Sequence, residues 1–305
     1  MPKSNISTES NIQGKGCLCI VSALLIWSSQ GIVIRAADMS VISIVFYSLA
    51  ASLLFQSFIF LRSSKKLPSA RGLLIIFLLS VFALVNTLTY FYAYTYTSIS
   101  NAVFTHYVAP VVVMLIAPIF LKEKITLTSV FSIIIASFGL WIIMRDVSVM
   151  DIAAQIFTID YSSASSMFNR DTIGILCGLA SGAAYGAVIV TLKIISGTYD
   201  KYIVVFFQNL FITVLLLPFA GPVPHDVKSI LIILVIGGIY STAATYLYYS
   251  GITHVGANKT AILGYIEPIG AIFLGALVLS EMPDALSLFG GLMIITAGYI
   301  IIKKG

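Results

Sequence analysis

Long uninterrupted apolar runs, rather than alternation, organise this chain. Leu73–Val85 and Val111–Leu121 contain no charged residue. A helix needs about 20 such residues to cross the hydrocarbon core of a bilayer. The pattern predicts ten membrane-spanning helices, near 16–34, 40–61, 72–96, 100–121, 126–144, 172–195, 202–220, 229–252, 260–279 and 285–302. Strands of a membrane barrel would instead alternate apolar and polar positions over about ten residues, and these runs do not. Polar connections between the runs are short except at 145–171, which divides the chain into 1–144 and 172–305. The expected fold class is an all-α polytopic membrane protein.

Composition agrees. Of 305 residues, 59% are hydrophobic and 10% charged, against about 25% charged in an ordinary soluble domain. Mean hydropathy is +1.04. The net charge of +5 includes no basic block of the kind that binds nucleic acid, so nucleic acid is not an expected partner. The Lys and Arg residues fall in loops and split unevenly. With the N-terminus in the cytoplasm, thirteen lie inside, Arg62, Lys65, Lys66, Arg71, Lys122 and Lys124 among them. Four lie outside: Arg35, Arg145, Arg170 and Lys228. The positive-inside rule then places both termini, with a short tail 1–15, in the cytoplasm. Lys15 before an apolar run resembles a signal peptide, but the run has full spanning length and nine spans follow. The expected location is the inner (cytoplasmic) membrane of a cell, with membrane lipid as a partner. Cys17, Cys19 and Cys177 lie inside spans and read as packing residues. Three scattered histidines have no metal-ligand spacing, and no glycine-rich phosphate loop is present. No metal, cofactor or ATP is expected.

The two halves repeat at an offset of 158. Gly16 falls on Gly174, Leu18 on Leu176, Cys19 on Cys177, Trp27 on Tyr185, Tyr90 on Tyr248, Phe91 on Tyr249, Pro110 on Pro268 and Glu123 on Glu281. Five spans per half is an odd number, so the second copy is expected upside down relative to the first. Charge agrees: Leu121–Thr126 carries two lysines, whereas Glu281-Met282-Pro283-Asp284 carries no Lys or Arg. Inverted repeats mark secondary transporters, whose solute site lies near the bilayer midplane between the repeats.

The repeat-bearing stretches are Ser100-Asn101-Ala102, Ala109-Pro110 and Phe120-Leu121-Lys122-Glu123-Lys124-Ile125-Thr126, then Gly256-Ala257-Asn258, Ile266-Glu267-Pro268 and Leu279-Ser280-Glu281. Over nearly its whole length the chain resembles the EamA type of the drug/metabolite transporter superfamily. The second copy has Ser280-Glu281 where that family usually has Gly-Glu. The resemblance implies ten spans as two inverted five-helix repeats. It also implies transport, often export, of amino acids, their derivatives, nucleosides or related metabolites.

Glu267 is the only acidic residue deep within an expected span, eight residues past Lys259, or about 12 Å along a helix. A carboxylate there costs about 2.5 kcal/mol or more on insertion scales. It can bind a substrate amine, exchange a proton, or hydrogen-bond a neighbouring span. His106, four residues before Pro110, is a second proton-handling candidate, or a neutral side chain bonded to a neighbour. Pro110 and Pro268 each remove a backbone donor and offer a kink or hinge. Asn86, Tyr90 and Tyr94 share one helix face. Thr245, Tyr246 and Tyr248, with Trp27, Gln30, Tyr185 and Gln208, extend the candidate lining. Tyrosine faces suit flat or cationic solutes. Gly178, Gly182 and Gly186 form a small-residue row for close helix packing.

The expected function is secondary active transport of small organic metabolites by alternating access, proton-linked or by exchange or facilitated passage. Nucleosides or nucleotide-derived metabolites are the alternative solutes. An intramembrane enzyme using His106 and Glu267 is the alternative from another class; a passive channel or a sensor is a third reading. The chain is read as a monomer or a homodimer.

Overall fold

The computed structural model describes residues 3–30, 33, 37, 39–61, 67–97, 99–143, 170–279 and 285–304. Among them regular structure is helical and no strand occurs. The elements are α1 (Lys3–Trp27), α2 (Val41–Leu61), α3 (Ala70–Tyr96), α4 (Ile99–His106), α5 (Ala109–Leu121) and α6 (Leu127–Ile143), then α7 (Arg170–Ile195) and α8 (Lys201–Leu216) with a 3₁₀ turn at Leu217–Phe219. They continue as α9 (Val227–Val235), a π-helical segment (Ile236–Ala244), α10 (Thr245–Ile252), α11 (Ala257–Leu263), α12 (Ile266–Leu279) and α13 (Ala285–Lys304). Among the described residues seven helical stretches, some counted through these breaks, are long and apolar enough to cross a membrane. Shorter apolar helices lie at Ile12–Trp27 and Leu127–Ile143.

Side-chain caps start several helices where the apolar runs begin. Ser69, Asp200 and Asp226 accept hydrogen bonds from the Gly72, Tyr202 and Ser229 amides, satisfying first-turn donors that lack helical partners. Hydrogen bonding from Ser229 holds the Asp226 carboxyl below its ordinary range.

Apolar side chains face outward as well as inward. Leu54, Leu61, Leu127 and Phe219 face outward, while Gln56, Ser52, Ser80, Ser132 and Ser181 are fully buried. Buried polar groups need partners, and two amides link several of them. Gln56 Nε2 donates to Ser241 O at 3.2 Å, and Asn209 Nδ2 donates to the same carbonyl at 3.3 Å and to Ser52 Oγ at 3.2 Å. They anchor the π-helical segment to α2 and α8. Within that segment Thr242 Oγ1 reaches back five residues to Gly237 O at 2.7 Å.

Three expected spans differ from the helices found. The first, expected at 16–34, is helical from Lys3 and ends at Trp27. Ser28 and Ser29 hydroxyls bond the Leu25 and Ile26 carbonyls, local bonds that compete with helix continuation. The fourth and ninth spans are not continuous helices. Each breaks in the middle, at Tyr107–Val108 and at Gly264–Tyr265. Pro110 and Pro268 therefore sit in the first turns of new helices, α5 and α12, where a missing N–H costs nothing.

The two halves are paired by a repeat visible in the contacts. Helix α1 packs on α10 while α3 packs on α7; α2 packs on α8, and α6 on α13. A Cβ added at Gly16 would meet Val255, and one added at Gly174 would meet Thr97. Both members of each pair are 158 residues from their mates. The glycine row of α7 presses on the broken fourth span: a Cβ at Gly178 would overlap Thr105 Oγ1, and one at Gly182 would overlap the His106 carbonyl. Gly182→Val should therefore destabilise the fold by about 1–3 kcal/mol through overpacking, read as a lower thermal midpoint in detergent. Gly291→Ala, where nothing lies within 4 Å, should leave it unchanged or raise it.

Candidate functional site

The two helix breaks meet each other. Tyr107 and Tyr265, repeat mates, stack with ring centroids 5.4 Å apart at 25°. The Tyr265 hydroxyl donates to Tyr107 O at 3.3 Å. Its single proton being used there, it accepts from Ser137 Oγ at 2.7 Å. Breaking two helices at this depth frees backbone groups that hydrocarbon cannot satisfy, and these side chains satisfy part of them.

His106 ends α4 at the first break. Its ring lies between Tyr90, at 4.1 Å and 23°, and Tyr185, at 5.3 Å and 23°. The Ser181 hydroxyl donates to Asn86 Oδ1 at 3.0 Å, so it has no proton left for the imidazole. His106 Nδ1, 2.7 Å from Ser181 Oγ, must then carry the hydrogen, leaving Nε2 with a lone pair. Tyr185 donates to the Tyr248 hydroxyl at 3.2 Å. Tyr248 packs on Trp27 at 5.1 Å, and Trp27 Nε1 donates to Tyr240 O at 3.2 Å. Tyr94 packs on Tyr90 at 4.6 Å.

Glu267 is the second residue of α12. Free N–H groups at a helix start favour a negative charge, so the second break is itself a suitable seat for a carboxylate. The side chain is half-buried. It lies beside the Tyr107 hydroxyl and within electrostatic reach of Tyr90, Tyr185 and Tyr248. The Tyr107 hydroxyl is buried and makes no hydrogen bond of sound geometry. No hydrogen bond joins Glu267 to His106 among the described residues. The arrangement is a carboxyl group beside one phenol and within electrostatic reach of others contributed by both halves of the chain.

The remaining candidates divide. Asn86, Tyr90, Tyr94, Trp27, Tyr185 and Tyr248 join this cluster. Thr245 donates to Tyr240 O at 3.1 Å across the π-helical segment. Gln208 accepts a hydrogen bond from Tyr249, one residue beyond the cluster's Tyr248. Tyr246 packs on Tyr202 at 4.8 Å, edge to face, rather than on the cluster rings. Gln30 lies just past the end of α1 and is half-buried. Pro110 and Pro268 flank the breaks. Glu123 is away from the cluster, at the start of α11; Glu281 lies outside the described residues, as does Arg145. Sequence reasoning missed Tyr107, Tyr265 and Ser181. The first two were within reach of the 158-residue offset, which pairs aromatic with aromatic beside the two prolines.

The model of the EamA-like transporter family matches residues 14–145 and again 172–303. The chain belongs to this family. Curated relatives include the pseudopaline exporter CntI of Pseudomonas aeruginosa (strain UCBPP-PA14), 23% identical over 287 residues, covering 92% of this chain and 94% of that protein. The uncharacterized transporter YxxF of Bacillus subtilis (strain 168) is 23% identical over 294 residues, covering 94% and 89%. A solved structure described as "Crystal structure of protein" superposes with a TM-score of 0.77 at 13% identity, covering 95% of this chain and 99% of that one. It supports the fold of the transporter alone.

The hydrogen-bond chain in the site makes a direct expectation. Ser181→Ala removes the acceptor for His106 Nδ1–H. The ¹⁵N solid-state NMR signature of His106 should move away from a pure Nδ1–H tautomer in the variant; an unchanged spectrum would refute the assignment.

Proposed function

We propose that this member of the EamA-like family is a secondary transporter that crosses the membrane ten times, as two oppositely oriented five-helix repeats, 1–144 and 172–305, joined by 145–171. It carries small organic solutes by alternating access, each repeat rocking about the broken helices. The charge asymmetry of the loops supports an inner-membrane orientation with both termini cytoplasmic. The repeat-related helix pairings support two copies of one unit.

One observation carries the assignment of the site: Glu267, half-buried at a helix break, has no cationic partner among the described residues, lies beside Tyr107 and is within electrostatic reach of Tyr90, Tyr185 and Tyr248 from both repeats. Intramembrane carboxylates usually pair or face a polar cavity. A solute bearing an amine would supply the missing charge, and the π faces of Tyr90, Tyr107, Tyr185 and Tyr248 would add cation–π attraction. Amino acids and related amine-bearing metabolites fit this chemistry. When such a solute leaves, a proton on Glu267 can replace its charge, which gives exchange of solute for protons. His106, sandwiched and bonded through Nδ1, holds the flanking rings parallel. The name of the relative that exports pseudopaline supports movement of small metabolites outward.

Counterflow in proteoliposomes tests the reading. A panel of aromatic and cationic amino acids, related amines and nucleosides should reveal exchange of at least one amine without chemical conversion. Glu267→Gln should reduce that exchange at least tenfold, the equivalent of about 1.4 kcal/mol. Normal transport by the variant, with unchanged pH dependence, would remove Glu267 from the mechanism. Conversion of the solute would instead favour an enzyme.

A further inference from the structure

Glu123 makes a contact that neither the aromatic cluster nor the family membership explains. It follows Lys122, which caps α5 in a left-handed conformation (φ 56°, ψ 24°). Lys122 is the only non-glycine residue with positive φ among the described residues. Non-glycine residues rarely hold that conformation without compensation. Here the turn aims the next side chain across to the other repeat. Glu123 Oε1 accepts from the Ala257 amide at 2.8 Å. Its Oε2 accepts from the Asn258 amide at 3.2 Å and from Asn258 Nδ2 at 3.0 Å.

The receiving end is built for an external acceptor. Gly256, the N-cap of α11, has extended backbone and no capping side chain. A Cβ there would come within 3.3 Å of Glu123 Oε1. Orphan amides that a Ser or Asp at the N-cap would normally satisfy are satisfied by a carboxylate 134 and 135 residues earlier in the chain. On the same face Lys193 Nζ donates to Ile252 O at 2.9 Å and Thr253 O at 3.4 Å, at the end of α10, and interacts electrostatically with Glu123. Negative charge at one helix start and positive charge at the neighbouring helix end both complement the helix dipoles. The chain turn 253–256 is held from both sides.

We propose that Glu123 is a positioning residue of the transport cycle: its carboxylate latches the first repeat onto the broken helix α11–α12 and keeps this face of the transporter closed. The inference rests on the alternating-access reading above. Helix α11 leads through the second break to Glu267, so releasing its start frees the segment that carries the site carboxyl. In the charge-based orientation this face is the cytoplasmic one. Opening toward the cytoplasm then requires the three hydrogen bonds of Glu123 to separate, and closure remakes them. A carboxylate is suited to this task because all three groups it faces are donors. A glutamine would present its own N–H₂ to one of them.

Distance measurement between spin labels tests the latch without any substrate. Labels are placed at Lys124→Cys and His254→Cys, both exposed, in full-length protein in nanodiscs with Cys17, Cys19 and Cys177 replaced by alanine. With Glu123 intact, one short distance should dominate. Glu123→Gln should raise the ratio of long to short distances roughly tenfold, the effect of about 1.4 kcal/mol, with little change in thermal midpoint. Lys122→Gly, which relieves the left-handed turn but keeps the carboxylate, should retain the short distance. An unchanged distribution in Glu123→Gln would overturn the latch and leave Glu123 as a local cap. So would equal broadening in Glu123→Gln and Lys122→Gly, or loss of folded protein in Glu123→Gln. Normal counterflow by Glu267→Gln would bear on the site alone and would leave these distances unaffected.

Discussion

Backbone hydrogen bonding in hydrocarbon is the constraint on which this molecule depends. A membrane helix satisfies its own peptide groups, and a break in it exposes groups that lipid cannot solvate. Among the described residues this chain breaks two helices and widens a third, and side chains from other helices cover exposed backbone at the first break and at the widened turns. Tyr265 covers the Tyr107 carbonyl. Gln56 and Asn209 cover the Ser241 carbonyl beside the π-helical turns. Val108 O accepts from both Val111 and Val112 where the proline leaves the ladder incomplete. Polar side chains are buried because the backbone needs them there, and the interior becomes a place where a polar solute can be recognised.

The duplicated framework carries unequal chemistry. Tyr107 and Tyr265 are mates across the pseudo-symmetry, as are Tyr90 and Tyr248, and Trp27 and Tyr185. The aromatic lining is therefore a product of the repeat. The polar groups are not. His106 corresponds to Gly264, and Glu267 corresponds to Ala109. One half contributes an imidazole and the other a carboxyl, so under the proposed function a solute between them would meet different groups on its two sides.

Much of this was legible in the sequence. Continuous apolar runs located the helices, because lipid selects for length and hydropathy and little else. The offset of 158 located the mates, and Glu267 stood out because charge is rare at that depth. Other features were hidden for identifiable reasons. Apolar runs do not record a break in helical hydrogen bonding, so the interruptions at Tyr107–Val108 and Gly264–Tyr265 read as proline kinks inside continuous spans. Ser28 and Ser29 ended α1 through bonds to their own preceding turn, which hydropathy does not register. Tyr246 shares its helix with Tyr248 but points at Tyr202, a distinction set by rotation about the helix axis near a π-helical segment that shifts the phase. Glu123 was visible only as one end of a repeat; its partner at the start of α11 depended on the left-handed turn at Lys122.

The central claim is that the two breaks form a solvent-reached centre at a depth where helices are otherwise sealed. Backbone hydrogen–deuterium exchange of the protein in nanodiscs addresses it directly. Amides of 107–111 and 264–268, Pro110 and Pro268 excepted because they carry no N–H, should exchange measurably faster than those in the middle of α6, near 132–140. Equal, slow exchange at the breaks and in α6 would mean that the centre is dry, and would contradict a solute site there.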